Sequence, residues 1–172
     1  SSATTNAAGD GGILYQIIGT LILVLTALVC AAPCALAISV IVASVKSQRL
    51  KNFLMSLLQV LNATPSILFG ILSFTFFIKF CGWEKTWLAG GIILGLMILP
   101  TVTVAIVSRI NTIPTGYLET AKSLGLSHDQ LIGSVVIPYS LGGLWTGLVM
   151  GVARAAGETA PIMFAAVVFS GA

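Results

Sequence analysis

Arg154 and Glu158 stand four residues apart in Arg-Ala-Ala-Gly-Glu-Thr-Ala-Pro, residues 154–161, within an otherwise apolar part of the chain. A guanidinium near the centre of a bilayer costs about 2.5–3.5 kcal/mol on insertion scales, so such a group usually faces a cavity or pairs with another charge. Two roles are open. Arg154 could contact an anion, with Glu158 orienting it and limiting how tightly the anion is held. The two could instead form a self-neutralising pair that locks the fold. Four residues is an ion-pair spacing on a helix, although Arg before Glu is the less favoured order. Gly157 and Pro161 can break the helix and leave backbone donors free for an anion. The anion contact is the preferred role.

Other residues could share such a path. Asn62-Ala-Thr-Pro-Ser, residues 62–66, sets three polar side chains around Pro65 in an uncharged run. Pro65 frees helix carbonyls that need polar neighbours inside a bilayer, and Asn62, Thr64 and Ser66 can supply them. Asn62 and Ser66 are equally placed to meet a substrate. Arg109 follows the next apolar run, where a long cation either snorkels to water or lines the inner end of a path. Catalytic chemistry finds no support: there is no His/Ser/Asp constellation, metal-ligand cluster or intramembrane carboxylate pair. Cys30 and Cys34 share a helical spacing but have no His or carboxylate nearby, so they read as packing residues. Residues 116–123 nearly spell a phosphate-binding loop, but Ala121 stands where the second glycine is required and no strand precedes it. The chain is expected to hydrolyse no ATP.

The elements that position these residues are transmembrane helices. Of 172 residues, 57% are hydrophobic and only 8% charged, against about 25% charged in an ordinary soluble domain. Uncharged runs cover 11–45, 52–78, 86–108 and 130–153, each longer than the roughly 20 residues a helix needs to cross a bilayer. A fifth run begins at 159. The expected fold is therefore an all-α polytopic bundle with four full spans and a partial fifth. The first run must tilt, extend past the membrane or bend at Pro33, and bends are expected at Pro65 and Pro100. Gly143, Gly147, Gly151 and Ala155 recur every four residues, a stripe that lets another helix approach closely in lipid. Residues 1–12 are small and polar and read as an extramembrane segment without the features of a signal peptide. The sequence is expected to be an incomplete fragment, truncated at both ends.

Charge placement gives an orientation. Lys46, Arg49 and Lys51 mark the first break and Arg109 and Lys122 the third, against Lys79 and Lys85 in the second. The positive-inside tendency puts residues 46–51 and 109–134 in the cytoplasm and the N-terminal segment outside. Within the third break Arg109, Glu119, Lys122, His128 and Asp129 gather, as if one loop were presented to a partner in water. Pro114 and Thr115 can open a short helix carrying Glu119, and Gly125 can end it in a left-handed conformation. Ser127 and Gln130 have capping-box spacing for a second helix running toward Pro138. Two short helices at an angle would make a knob suited to a groove, with Glu119 either meeting basic groups on the partner or holding the turn. His128 reads as a solvated loop residue.

Spacing in this loop resembles a family signature: E-A-A, three residues, G, nine residues, I-x-L-P. Glu119, Ala121, Gly125 and Pro138 match at register, whereas Thr120, Val135 and Ile137 depart mildly. The chain is thereby similar to the permease subunits of ABC importers, of the MetI-like type, whose coupling loop docks on an ATPase. Residues 62–70 and 154–161 further resemble the "GVPSIVFG"-like and "RAxGETAP" elements of the phosphate-specific members, closest to the PstA type. The resemblance implies one transmembrane permease domain over 1–172, holding the second to fifth of six helices. It also implies import of inorganic phosphate along a path lined by Arg154. Its implied partners are a PstC-like second permease, two PstB-like ATPases that bind the ATP, and an external PstS-like phosphate-binding protein, in a bacterial inner membrane. No cofactor of this chain and no nucleic acid are implied. A permease for another oxyanion, such as molybdate or sulfate, would keep the coupling loop without needing residues 154–161. A secondary transporter or channel with broken helices at Pro65 and Pro100 would need neither.

Overall fold

A computed structural model describes residues 12–45, 47–65, 68, 71, 75–76 and 87–157. The described elements are all helical. Helix α1 spans Gly12–Ser44, α2 Gln48–Ala63, α3 Trp87–Asn111, α4 Thr115–Ser123, α5 His128–Leu131 and α6 Ile137–Gly157, with a π-turn over Ile132–Val136 joining the last two.

Three stretches are long and apolar enough to cross a membrane: Ile17–Ser44, Trp87–Asn111 and His128–Gly157. They correspond to the first, third and fourth of the expected spans. The second is described only as α2, whose 16 residues fall short of a full span; most of 64–86 and the whole run from 159 lie outside the described residues. Helices α1 and α3 continue through Pro33 and Pro100. Packing on α3 outweighs the hydrogen bond lost at Pro100, which is itself buried. Pro65 behaves differently. Helix α2 stops at Ala63, and the Leu61 carbonyl that Pro65 cannot serve accepts the Thr64 N–H at 3.3 Å. The proline thus ends a described helix; backbone satisfies the Leu61 carbonyl, and the Thr64 hydroxyl donates to the Val60 carbonyl at 2.8 Å as one of the expected polar neighbours.

Helix α3 is the hub, packed by α1, α2 and α6. Small residues set the distances. On α1, Ala27, Ala31, Ala35 and Ser39 recur every four residues and are fully or almost fully buried. Helix α3 answers with Gly91 and Gly95, where an added Cβ would lie 2.6 Å from Thr26 Cγ2 and 3.1 Å from the Ala27 carbonyl oxygen. The stripe on α6 also packs on α3, and Ala155 at its end reaches Val24, Ala27 and Ala31 of α1. A Cβ at Gly143 would meet Ile106 Cα at 2.8 Å, and one at Gly147 would meet Val102 Cα at 3.0 Å. The stripe's partner is therefore a helix of the same chain. Met97, Ile98, Val102 and Ile106 of α3 fill the space between the two neighbours. Ser39 Oγ bridges α1 and α3, donating to Ala35 O and reaching the Thr103 carbonyl at 3.4 Å. Large apolar side chains such as Leu25, Val29, Trp145 and Val149 point outward, as suits helices surrounded by lipid or other helices. Cys30 packs beside Gly95, whereas Cys34 is exposed among the described residues.

Candidate functional site: a groove between helices and an elbow

Helices α2, α3 and α6 meet at one polar cluster. Arg154, half-buried near the end of α6, directs Nη1 at three oxygens: the Asn62 carbonyl at 3.1 Å, Asn62 Oδ1 at 2.5 Å and Thr101 Oγ1 at 3.0 Å. The Thr101 hydroxyl in turn donates to Asn62 Oδ1 at 2.6 Å. The Asn62 carbonyl lies in the last turn of α2, where helix carbonyls lack intrahelical donors and carry the negative end of the dipole. A guanidinium there satisfies both the carbonyl and the dipole.

Depth follows from helix geometry. Lys51 Nζ donates to Asn111 Oδ1 at 3.1 Å, which places the start of α2 beside the end of α3. Counting back along α3, Thr101 lies about 15 Å from that end at 1.5 Å per residue. That is near the middle of a hydrocarbon core of about 30 Å. Arg154, bonded to Thr101, shares that level. The guanidinium is hydrogen-bonded there by a helix end and a threonine hydroxyl, about midway along α3.

From Asn62 and Thr101 a groove of about 450 Å³ runs toward the end of α3, lined by Ser108, Arg109, Thr112 and Thr146 with Val104, Ala105, Gly143 and Met150. None of the lining residues is acidic. Arg109 is exposed and its guanidinium lies 4.8 Å from the centroid of the Tyr139 ring, a distance suited to a cation–π contact. Gly142 makes room for it, since a Cβ there would sit 3.4 Å from Arg109 Nε. Hydroxyls and one arginine along a wall, with a second arginine bonded to the head of the groove, can pass an oxyanion from donor to donor.

Of the residues singled out from sequence, Arg154, Asn62 and Arg109 are brought to this one site. Ser66 and Glu158 lie outside the described residues, so the Arg154–Glu158 pairing does too. Thr101 was missed. Its signal was only a hydroxyl one residue after Pro100, with nothing in the spacing to tie it to residues 39 and 53 positions away.

The loop between α3 and α6 forms a second site. Helix α4 begins directly after Pro114, and Tyr117 N–H closes on the Pro114 carbonyl at 3.1 Å. It ends at Gly125 with φ +76°, the left-handed conformation expected there. Leu126 N–H reaches back to the Ala121 carbonyl at 3.2 Å, the six-to-one bond of a Schellman turn. Ala121 is buried beneath it. The capping box is also present: Gln130 N–H donates to Ser127 Oγ at 3.3 Å and Ser127 N–H to Gln130 Oε1 at 2.9 Å. The second short helix, however, is not separate. It continues through the π-turn and Pro138 into α6, so His128–Gly157 is one 30-residue helical stretch. Pro138 has no N–H and its ring crowds the carbonyl four residues back. The wider π-turn before it, closed by Ile137 N–H to Ile132 O, absorbs that misfit without ending the helix. His128 accordingly sits at the start of a helix, exposed, and not in a loop.

The elbow offers a surface. Glu119 is exposed, and Tyr117 and Leu124 are 66% and 75% exposed beside a hollow lined by Pro114, Gly116, Thr120 and Val135. Apolar side chains kept this exposed in a polar turn suit a protein partner.

Comparison with known proteins agrees with this geometry. Residues 35–169 match the family described as binding-protein-dependent transport system inner membrane component. The chain is 30% identical over 162 residues to a probable phosphate transport system permease protein PstA of Methanocaldococcus jannaschii, covering 94% of this chain and 57% of that protein. It is 30% identical over 164 residues to the phosphate transport system permease protein PstA of Yersinia pestis, covering 92% and 54%. With the phosphate transport system permease protein PstA 2 of Mycobacterium bovis the identity is 27% over 156 residues, covering 91% and 52%. The chain thus spans about half the length of the curated relatives it matches. An all-helical bundle, membrane-length apolar helices and a family match over most of the sequence lead to one assignment: the chain belongs to the binding-protein-dependent transport system inner membrane component family, the permeases of ABC importers.

Proposed function

We propose that the chain forms part of the translocation path of an ATP-driven importer of inorganic phosphate and presents residues 109–134 to a cytosolic ATPase. The observation that supports the phosphate path is Arg154, held by Asn62 and Thr101 at the head of a groove that has Arg109 in its wall and no acidic side chain among its described lining residues. The names of the similar PstA proteins support phosphate as the cargo. In this reading an external binding protein releases phosphate at the outer side. The anion is met by Arg154, with Glu158 tempering its grip, and passes the Thr146, Ser108, Thr112 and Arg109 wall. A second, PstC-like permease completes the path, and two PstB-like ATPases bind the ATP and close against the elbow.

Uptake of phosphate, sulfate and molybdate by the full importer carrying Arg154→Gln tests this reading. Co-purification of the ATPase should be checked in the same membranes. Loss of phosphate uptake with the ATPase still bound is expected. Undiminished phosphate uptake would return Arg154 to a purely structural role. Sulfate or molybdate uptake by the unsubstituted importer, with no phosphate uptake, would move the cargo to another oxyanion.

A further inference from the structure

Arg154 bonds Asn62 and Thr101 through Nη1. A guanidinium is planar, so fixing Nη1 against α2 and α3 also sets the plane and heading of Nε and Nη2. The same contacts fix Asn62. Arginine carries no acceptor, so the amide atom facing Nη1 must be the oxygen. Thr101 Oγ1, 2.6 Å from that oxygen, must then donate to it, leaving its lone pairs to receive Arg154. Both hydrogen-bond directions at Thr101 are thereby determined. With two donors on its carbonyl edge, the Asn62 amide turns its NH₂ edge away from the arginine, and Asn62 lines the groove. An amide NH₂ beside a guanidinium gives an oxyanion two kinds of donor at one place.

We propose that Thr101 is a positioning residue for anion passage: its hydroxyl locks the Asn62 amide with NH₂ toward the path and aims the Arg154 fork. The inference rests on the phosphate-path reading. It explains why a hydroxyl stands at the junction of three helices, bonded on both sides. Thr101 itself need not touch the anion. Asn62 does, as a donor.

The full importer, reconstituted with its ATPases and binding protein, tests this through the phosphate transported per ATP hydrolysed. A role in packing alone would not alter that ratio in assembled complexes. Thr101→Val is expected to lower it about ten-fold, the scale of one lost hydrogen bond to a charged group, and Thr101→Ser to restore it. Asn62→Asp keeps an acceptor for both Arg154 and Thr101 but removes the NH₂ donor and adds negative charge. It is expected to lower the ratio at least as far while the complex still assembles. An unchanged ratio in Thr101→Val, a Thr101→Ser protein as defective as Thr101→Val, or a normal ratio in Asn62→Asp would each overturn the proposal. Arg154→Gln in the same preparation separates the two levels of inference. Lost transport there with normal Thr101→Val overturns the positioning role alone, whereas normal transport in Arg154→Gln removes the anion path itself.

Discussion

Gly125 shows how much one residue can decide. Its φ of +76° is a backbone conformation that costs other residues roughly 1–2 kcal/mol, because Cβ crowds the following carbonyl. Space is not the issue, since a Cβ placed there meets nothing within 4 Å. The expected penalty is therefore conformational, and asparagine, which tolerates the left-handed region, should be accepted where valine is not. Gly125→Val should weaken co-purification of the ATPase with the importer while Gly125→Asn retains it. Equal retention by both would mean the elbow's shape does not govern docking. Gly125 and the Ser127–Gln130 box were legible in the sequence because each is a local device whose partners lie within six residues. Thr101 was not, because its partners reach it only through the packing of three helices.

At the scale of elements, small residues rather than large ones set the architecture. A bilayer provides no hydrophobic force between helices, so close backbone approach must supply the van der Waals contact. The stripe at 143, 147, 151 and 155 could be recognised from its period of four. What it packs against could not, because the same signal fits a helix of this chain or of a partner. The matching series on α1, residues 27, 31, 35 and 39, obeys the same rule, so that α1, α3 and α6 pack closely together. Pro138 lies inside the expected span 130–153, and the π-turn over Ile132–Val136 is what lets the helix run through it. The glycine contacts predict a graded response. At Gly143 the obstacle is Ile106 Cα, which is backbone and cannot rotate aside, so Gly143→Ala should destabilise the bundle by about 1–3 kcal/mol. Gly19, in the interior of α1 with nothing within 4 Å, should accept alanine with no loss or a gain of up to about 1 kcal/mol in helix propensity. Thermal unfolding of the detergent-solubilised importer would rank the two; similar midpoints would show that α3 and α6 are not in close contact.

For the molecule as a whole, the question is which end faces the ATPase. The Lys51–Asn111 bond brings the basic break after α1 to the same end as the loop after α3. Five of the seven basic residues in the three breaks thus belong to segments on one side. That asymmetry favours a cytoplasmic location for this end, and the elbow with Glu119 must share it, because α4 follows directly from α3. Trp87 begins α3 at the opposite end, roughly 36 Å away along 25 residues. Single cysteines at Ser47, Trp87 and Glu119, in a background with Cys30, Cys34 and Cys81 replaced by alanine, turn this into a measurement. A membrane-impermeant thiol reagent should label Trp87→Cys in intact cells. It should label Ser47→Cys and Glu119→Cys only in inside-out vesicles prepared without the ATPase. Restoring the ATPase should then protect Glu119→Cys and leave Ser47→Cys reactive, which separates sidedness from docking. The reverse labelling would leave every helix contact intact but put the elbow outside, where no cytosolic ATPase could reach it.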